Sequence, residues 1–227
     1  MRIVFALGGS IVVPDNVDTE FVSNFAEFAK GLLAENQLAI IVGGGKNARR
    51  AIELLKKHGA NDVDCDYAGI DASRENAQTI ANAMGVPSPA LGTLKPAKRF
   101  FDENGIVIMG GTEPGHSTDA VAALLAEYIG ADLLIKTTDV KGIYDSDPAK
   151  NKSAKLLKEL SVAELEKMVS SLSQGAGNYR LFDLLAVKIL ERSGTKCIAL
   201  DGHDLKNMKA AIQGKSFVGT TIIPVKK

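Results

Sequence analysis

Predominantly apolar runs, most of them ending in glycine and spaced apart by helix-length segments, are the strongest constraint on how this chain folds. The runs are RIVFALGG (2–9), QLAIIVGGG (37–45), IVIMGGT (106–112), ADLLIKTTDV (131–140), TKCIALDG (195–202) and GTTIIPV (219–225). A strand wetted on one side alternates polar and apolar residues, so a continuous apolar run belongs to a strand buried on both faces. Between the runs, apolar residues recur at helical spacing over 23–36, 47–59, 73–85, 117–131, 161–172, 183–194 and 204–214. In and just before the first of these, Phe21, Phe25, Phe28, Leu32 and Leu33 fall near one stripe. Gly59 stands where a helix ends, and Ser117, Thr118 or Asp119 can cap the segment that Gly130 closes. Strands alternating with helices predict an α/β fold with a central, mostly parallel sheet covered on both faces. Two stretches read as irregular. GVPSPALGTLKPAKR (85–99) is a loop or lid flank, and SLSQGAGNYR (171–180) is a mobile loop.

Composition narrows the function classes. The 227 residues suit one α/β domain or two closely joined lobes. Lys plus Arg and Asp plus Glu each number 27, which argues against a dedicated nucleic-acid or membrane-surface binder, since those carry a basic excess. Cys65 and Cys197 are far apart and make no metal-ligand spacing; two unpaired thiols in a reducing compartment are the expectation. The N-terminus lacks a signal-peptide cleavage pattern, and no apolar run reaches the roughly 18 residues that span a bilayer. A cytoplasmic protein is expected.

In a parallel sheet, ligands bind at the carboxyl ends of the strands. Gly8-Gly9, Gly43 to Gly45, Gly110-Gly111 and Gly142 all fall at that edge. Glycine lets the backbone approach an anion, and a helix that follows offers free N–H groups. GGGKNAR (43–49) adds Lys46 and Arg49, one turn apart. Arg49 is expected to contact phosphate; Lys46 either joins it or faces water. GGTEPGHSTDA (110–120) repeats the pattern, with Ser117 and Thr118 at a helix start. No carboxylate is evidently placed to orient His116, which reads as a structural or ligand-contacting histidine rather than a base. G-x-x-x-x-G-K-[ST] and G-x-G-x-x-G are both absent, which excludes a P-loop enzyme and disfavours a dinucleotide site. In TTDVKGIYDSDP (137–148), Asp139 can hold cations or magnesium, Tyr144 can stack on a base, and Asp145 or Asp147 can accept hydrogen bonds. Two anion sites beside an aromatic and acidic loop suggest a donor nucleotide next to a phosphorylated or anionic acceptor.

The stretches GGS (8–10), VGGG…AR (42–49), MGGTEPGHSTDAVAALLAE (109–127) and TTDVKGIYDSDP, in that order and with GTTI (219–222) near the end, resemble the amino acid kinase superfamily. Within it the chain is most similar to the archaeal-type UMP kinases, and DYAGIDASRENA (66–77) resembles their UMP-binding segment. The resemblance implies a three-layer αβα sandwich over residues 1–227, with an acceptor lobe of roughly 1–130 and an ATP lobe of roughly 131–227. It implies ATP-dependent phosphorylation of UMP to UDP in pyrimidine nucleotide synthesis, with Mg²⁺, usually in a homohexamer. Gly9, Ser10, Gly45 and Arg49 would contact ATP phosphates, and Thr138, Asp139, Tyr144 and Asp147 would line the rest of the ATP site. Gly44 would contact UMP, Asp66 its ribose hydroxyls, and Thr112, Glu113, Pro114, Gly115, His116, Ser117 and Thr118 would wrap it. Arg49, Asp139 and Lys46 are the candidate catalytic groups, and no metal-ligand cluster is assigned.

The chain departs from the wider superfamily at Ala6, where many members carry lysine (K-x-G-G-S). Lys46, Arg49, Lys136, Lys141 and Lys188 are the candidate replacements for that charge. The chemistry tolerates a site without a base, because a phosphomonoester is already largely ionised at pH 7, its second pKa being about 6. Catalysis then rests on positioning and charge neutralisation. The alternatives are a superfamily kinase with another small acceptor, such as isopentenyl phosphate or acetylglutamate, or a nucleotide-binding regulator with weakened turnover.

Overall fold

The computed structural model describes residues 1–87, 91–173 and 182–224. Strand β1 (Arg2–Leu7) leads through the single turn α1 (Gly9–Val12) to α2 (Thr19–Leu33), β2 (Gln37–Val42), α3 (Gly45–Lys57) and α4 (Asp62–Met84). There follow α5 (Leu94–Asn104), β3 (Ile106–Met109), α6 (Thr118–Ile129) and β4 (Leu133–Thr138). The rest is β5 (Glu159–Ser161), α7 (Val162–Ser173), α8 (Leu184–Ser193), β6 (Cys197–Asp201), α9 (Leu205–Ile212) and β7 (Thr220–Ile223).

Among the described residues seven strands form one sheet in the order β3-β2-β1-β4-β6-β7-β5. Of its strand pairs, β6–β7 is antiparallel and the others are parallel. The chain builds outward from β1 to β3 and then returns to lay β4 against the other side of β1. That reversal is the topological switch point, where two loops leave neighbouring strands in opposite directions and open a crevice. Gly8 and Gly9 follow β1 there, and Thr137 to Asp139 end β4.

Side chains of a strand alternate between faces, and here both faces are apolar. Val4, Ala6, Ala39, Ile41 and Leu134 pack under α5, α6, α7 and α8. Ile3, Phe5, Leu7, Leu38, Ile40 and Val42 pack under α2, α4 and α9. Phe5 and Phe25 are fully buried and meet edge to face at 5.9 Å; burying each ring is worth roughly 1.5–3 kcal/mol. Cys65 and Cys197 are free and buried. Gly130 and Gly194 end α6 and α8 in the left-handed conformation, and Ser117 and Asp183 cap the same helices through their side chains.

Two readings of the sequence need correction, and one strand was missed. The helix expected over 73–85 begins at Asp62, where Asn61 accepts a hydrogen bond from the Asp64 N–H and the first-turn carboxylates Asp62 and Asp64 suit the helix dipole. The expected loop 85–99 gives way to α5 at Leu94. Pro96 does not prevent this, because it stands in the first turn, where the N–H it lacks has no helical acceptor. The short β5 also went unread. Of the loop expected over 171–180, residues 171–173 end α7 and the remainder lies outside the described residues.

Candidate active site

The glycines after β1 and β2 meet one another. A Cβ on Gly9 would stand 2.2 Å from both the Gly43 carbonyl oxygen and the Gly45 nitrogen, and one on Gly45 would stand 2.4 Å from the Gly9 oxygen. Gly45 also has φ +62°, a backbone region that other residues enter at a cost. The two loops are thus in backbone contact, and protein packing accounts for these glycines before any ligand is considered. Thr137 fastens the second side of the crevice. Its hydroxyl accepts from the Gly8 N–H at 2.9 Å and donates to the Ala6 carbonyl at 3.2 Å.

One face of α4 holds the loop after β2 and the loop after β3. Asn76, 3% exposed, donates to the Gly43 carbonyl at 2.8 Å. Ser73, 1% exposed, accepts from the Gly111 N–H at 2.7 Å. Arg74 donates to the Gly111 and Thr112 carbonyls, both at 3.1 Å. Asp66 accepts from the Gly115 N–H at 2.8 Å. Residues 110–115 are thereby stapled along α4, and a Cβ on Gly110 would stand 2.5 Å from the Arg74 nitrogen. Ser73, Arg74 and Asn76 were not singled out from sequence. The usable signal was a serine and an asparagine on the apolar stripe of a helix, where an unpaired polar group is costly.

Between β1, β4 and the 139–150 loop opens a cavity of about 640 Å³, whose walls include Gly8, Ser10, Arg49, Thr138, Asp139 and Asp147. Lys136 also reaches into it, bound through its ammonium to both oxygens of Asp119 at 2.5 and 2.6 Å. Asp183, the cap of α8, has one buried carboxylate oxygen without a hydrogen-bond partner among the described residues. Burial pushes its pKa up, with the nearby Asp119 charge adding to the shift, while backbone N–H groups and Lys136 pull the other way.

The sequence candidates separate accordingly. Arg49 is exposed on α3 and lines the cavity. Lys46 is absent from that lining: its ammonium is taken by Asp15, which Arg50 also binds. This exposed pairing holds the Asp15 carboxyl below its usual range, chiefly through the Lys46 hydrogen bond. Asp139 lies exposed on the cavity rim, and the carboxylate that holds Lys136 is Asp119. Lys141 is exposed, and Lys188 is bound to Glu166 and Glu191. Tyr144 is half-buried, in a backbone bridge with Leu156. Asp147 turns inward to accept from the Ala149 N–H at 2.9 Å. Thr112 is buried, whereas Glu113, His116 and Ser117 are exposed along the loop. Gly44 faces α4, its missing side chain admitting Ala48 and the Gly69 carbonyl. Thr118 lies beside Gly43, at the junction of the loops.

Fold and site together define a class: an αβα protein that gathers its glycine-rich loops on one sheet edge, without a P-loop. The family model described as "Amino acid kinase family" matches residues 1–201. The chain belongs to the amino acid kinase family. A protein of Methanobrevibacter smithii named uridylate kinase is 40% identical, covering 98% of this chain and 99% of its own. One of Pyrococcus abyssi with the same name is 41% identical, covering 99% and 100%. The crystal structure of uridylate kinase from Archaeoglobus fulgidus superimposes with a TM-score of 0.86 at 39% identity, over 98% of this chain and 100% of the other. UMP kinase from Ureaplasma parvum, at 19% identity and TM-score 0.79 over 98% of each chain, shares the fold.

Proposed function

We propose that this chain transfers the γ-phosphoryl group of ATP to UMP, giving ADP and UDP. The observation that carries the reading is the contact between the Gly9 and Gly43–Gly45 backbones. It joins the cavity at the β1–β4 crevice to the loop that α4 holds over Asp66, so two anionic substrates can meet across one strip of peptide. The full-length likeness to uridylate kinases supports the choice of substrates.

In this reading the loops of residues 1–130 chiefly serve the acceptor, and those of 131–227 the donor nucleoside. Gly9, Ser10, Gly45 and Arg49 take the ATP phosphates, and Thr138, Tyr144 and Asp147 take the nucleoside. Gly44, Asp66 and residues 112–118 take UMP. The acceptor oxygen is already ionised, so no side chain has to remove a proton. The chain's task is to hold two polyanions in line and to offset their repulsion.

Mg²⁺ suits the donor set. No cluster of three His, Cys, Asp or Glu able to chelate a metal alone occurs among the described residues. Magnesium keeps several waters and is ordinarily held by one or two carboxylates together with substrate phosphates. In this reading Asp139, exposed on the cavity rim, takes that part. The ion, when bound, screens phosphate charge.

Asp66 argues against an isoprenoid acceptor, whose tail needs an apolar lining. The test is a coupled ADP-release assay against nucleoside monophosphates, isopentenyl phosphate and acetylglutamate. Turnover with UMP is expected; turnover with isopentenyl phosphate and none with UMP would overturn the reading.

A further inference from the structure

One cation of the donor cavity is largely buried. The Lys136 side chain is 14% exposed and that of its partner Asp119 is 18% exposed. Taking two charges out of water costs several kcal/mol per ion, so a buried pair is weak evidence for stability and needs another explanation. The sheet has made room for it. Lys136 lies in register with Ala6 on one side and Ala199 on the other, the two being 3% and 0% exposed. In-register neighbours point to the same face, so two alanines flank the lysine stem and leave its path along the sheet clear. The Phe182 ring stands 5.7 Å from the ammonium. Asp119 is the second residue of α6, directly after Thr118. The ion pair therefore links the wall of the donor cavity to the end of the acceptor loop. The other candidate cations do not combine burial with this position: Arg49, Lys141 and Lys188 are exposed, and Lys46 is tied to Asp15.

We propose that Lys136, aimed by Asp119, is the cation that meets the phosphoryl group in transit. The inference rests on the phosphotransfer reading above. The bond from Pγ to the β-phosphate bridging oxygen breaks and its electron pair leaves with ADP. A phosphate oxygen of UMP forms the new bond to Pγ, and no proton moves. Lys136 offsets charge on the oxygens of the transferring group, which is greatest between the two substrates. Asp119 is a positioning residue. It keeps the ammonium from folding back onto the ground-state phosphates of either one.

Lys136→Met is expected to lower kcat about 10²- to 10³-fold, the loss typical of removing one donor to a developing charge. The KM values for ATP and UMP should stay within about threefold, because an interaction made mainly in the transition state spares binding. ADP titration by calorimetry reports whether the site is folded. If Asp119, left unpaired, prevents folding, Asp119→Asn with Lys136→Met removes both charges of the pair, and is read by the same criterion. The double variant Ala6→Lys, Lys136→Ala returns an ammonium from the neighbouring strand about 4.8 Å away; it should recover about tenfold or more of the kcat lost in Lys136→Ala. A Lys136→Met enzyme with kcat within about threefold of wild type, or with kcat lost in step with ADP affinity, would overturn the proposal. So would an ADP-binding swap variant no faster than Lys136→Ala. Absence of UMP turnover in the wild type would instead sink the substrate reading, and Lys136 would then be assayed on whichever acceptor is consumed.

Discussion

Gly9→Ala probes the junction of the two loops with a single methyl group. The added Cβ would stand 2.2 Å from the Gly43 oxygen and the Gly45 nitrogen, where ordinary contact begins near 3.4 Å, so the loops must part by about 1.2 Å. Every atom it meets at that range is backbone, and no rotamer change relieves the overlap. Overpacking of this kind costs about 1–3 kcal/mol. At about 2–4 °C per kcal/mol for a chain of this size, Tm should fall by about 2–12 °C. The same shift moves donor and acceptor phosphates apart, and a misplacement of about 1 Å can cost on the order of 10²-fold in rate. Scanning fluorimetry and the coupled ADP-release assay measure the two effects. Gly31→Ala is the control, since a Cβ there meets nothing within 4 Å in the exposed interior of α2. Helix propensity should raise its stability by up to about 1 kcal/mol. If Gly9→Ala melts and turns over like wild type, the loops are not in the contact described and the reasoning fails.

Arg49→Ala should reduce kcat by about 10²-fold or more, as expected for a cation on the transferring phosphates; an unaltered kcat would remove Arg49 from the site. Asp66→Ala should raise the KM for UMP far more than that for ATP, because it removes both the proposed ribose acceptor and the tie to Gly115; equal changes would contradict the ribose assignment. Asp183→Asn should keep the α8 cap, since asparagine caps as well as aspartate. The raised pKa of Asp183 means that the native state holds its proton more tightly than the unfolded chain does. Its ionisation therefore weakens the fold as pH rises through the folded pKa. The variant should match wild type near pH 3 and melt above it at pH 7; melts that differ equally at both pH values would rule out this linkage.

Six of the sheet's strands were legible because buried strands print as mostly apolar runs, and the end of α6 because Gly130 marks it. The first half of α4 was not. Val63 and Tyr67 are about half exposed there, so no apolar stripe marks the helix. At the site, the glycine positions were legible but their cause was not. Gly9 packs against Gly43, and Gly110 against α4 at Ser73 and Arg74, contacts between residues more than thirty positions apart. Likewise, five cations were candidates for one charge. What distinguishes Lys136 is its register between Ala6 and Ala199 and its pairing with Asp119, and both arise only once β1, β4 and β6 lie side by side.

The central claim is direct phosphoryl transfer between two nucleotides bound on either side of the Gly9–Gly45 contact. Phosphorus NMR of the protein with MgATP and UMP follows both reactants and products in one tube. The account requires ADP and UDP resonances to grow in equal amounts as ATP and UMP decline, with no build-up of inorganic phosphate. Growth of ADP with inorganic phosphate and unchanged UMP, or no change in any resonance, would contradict it.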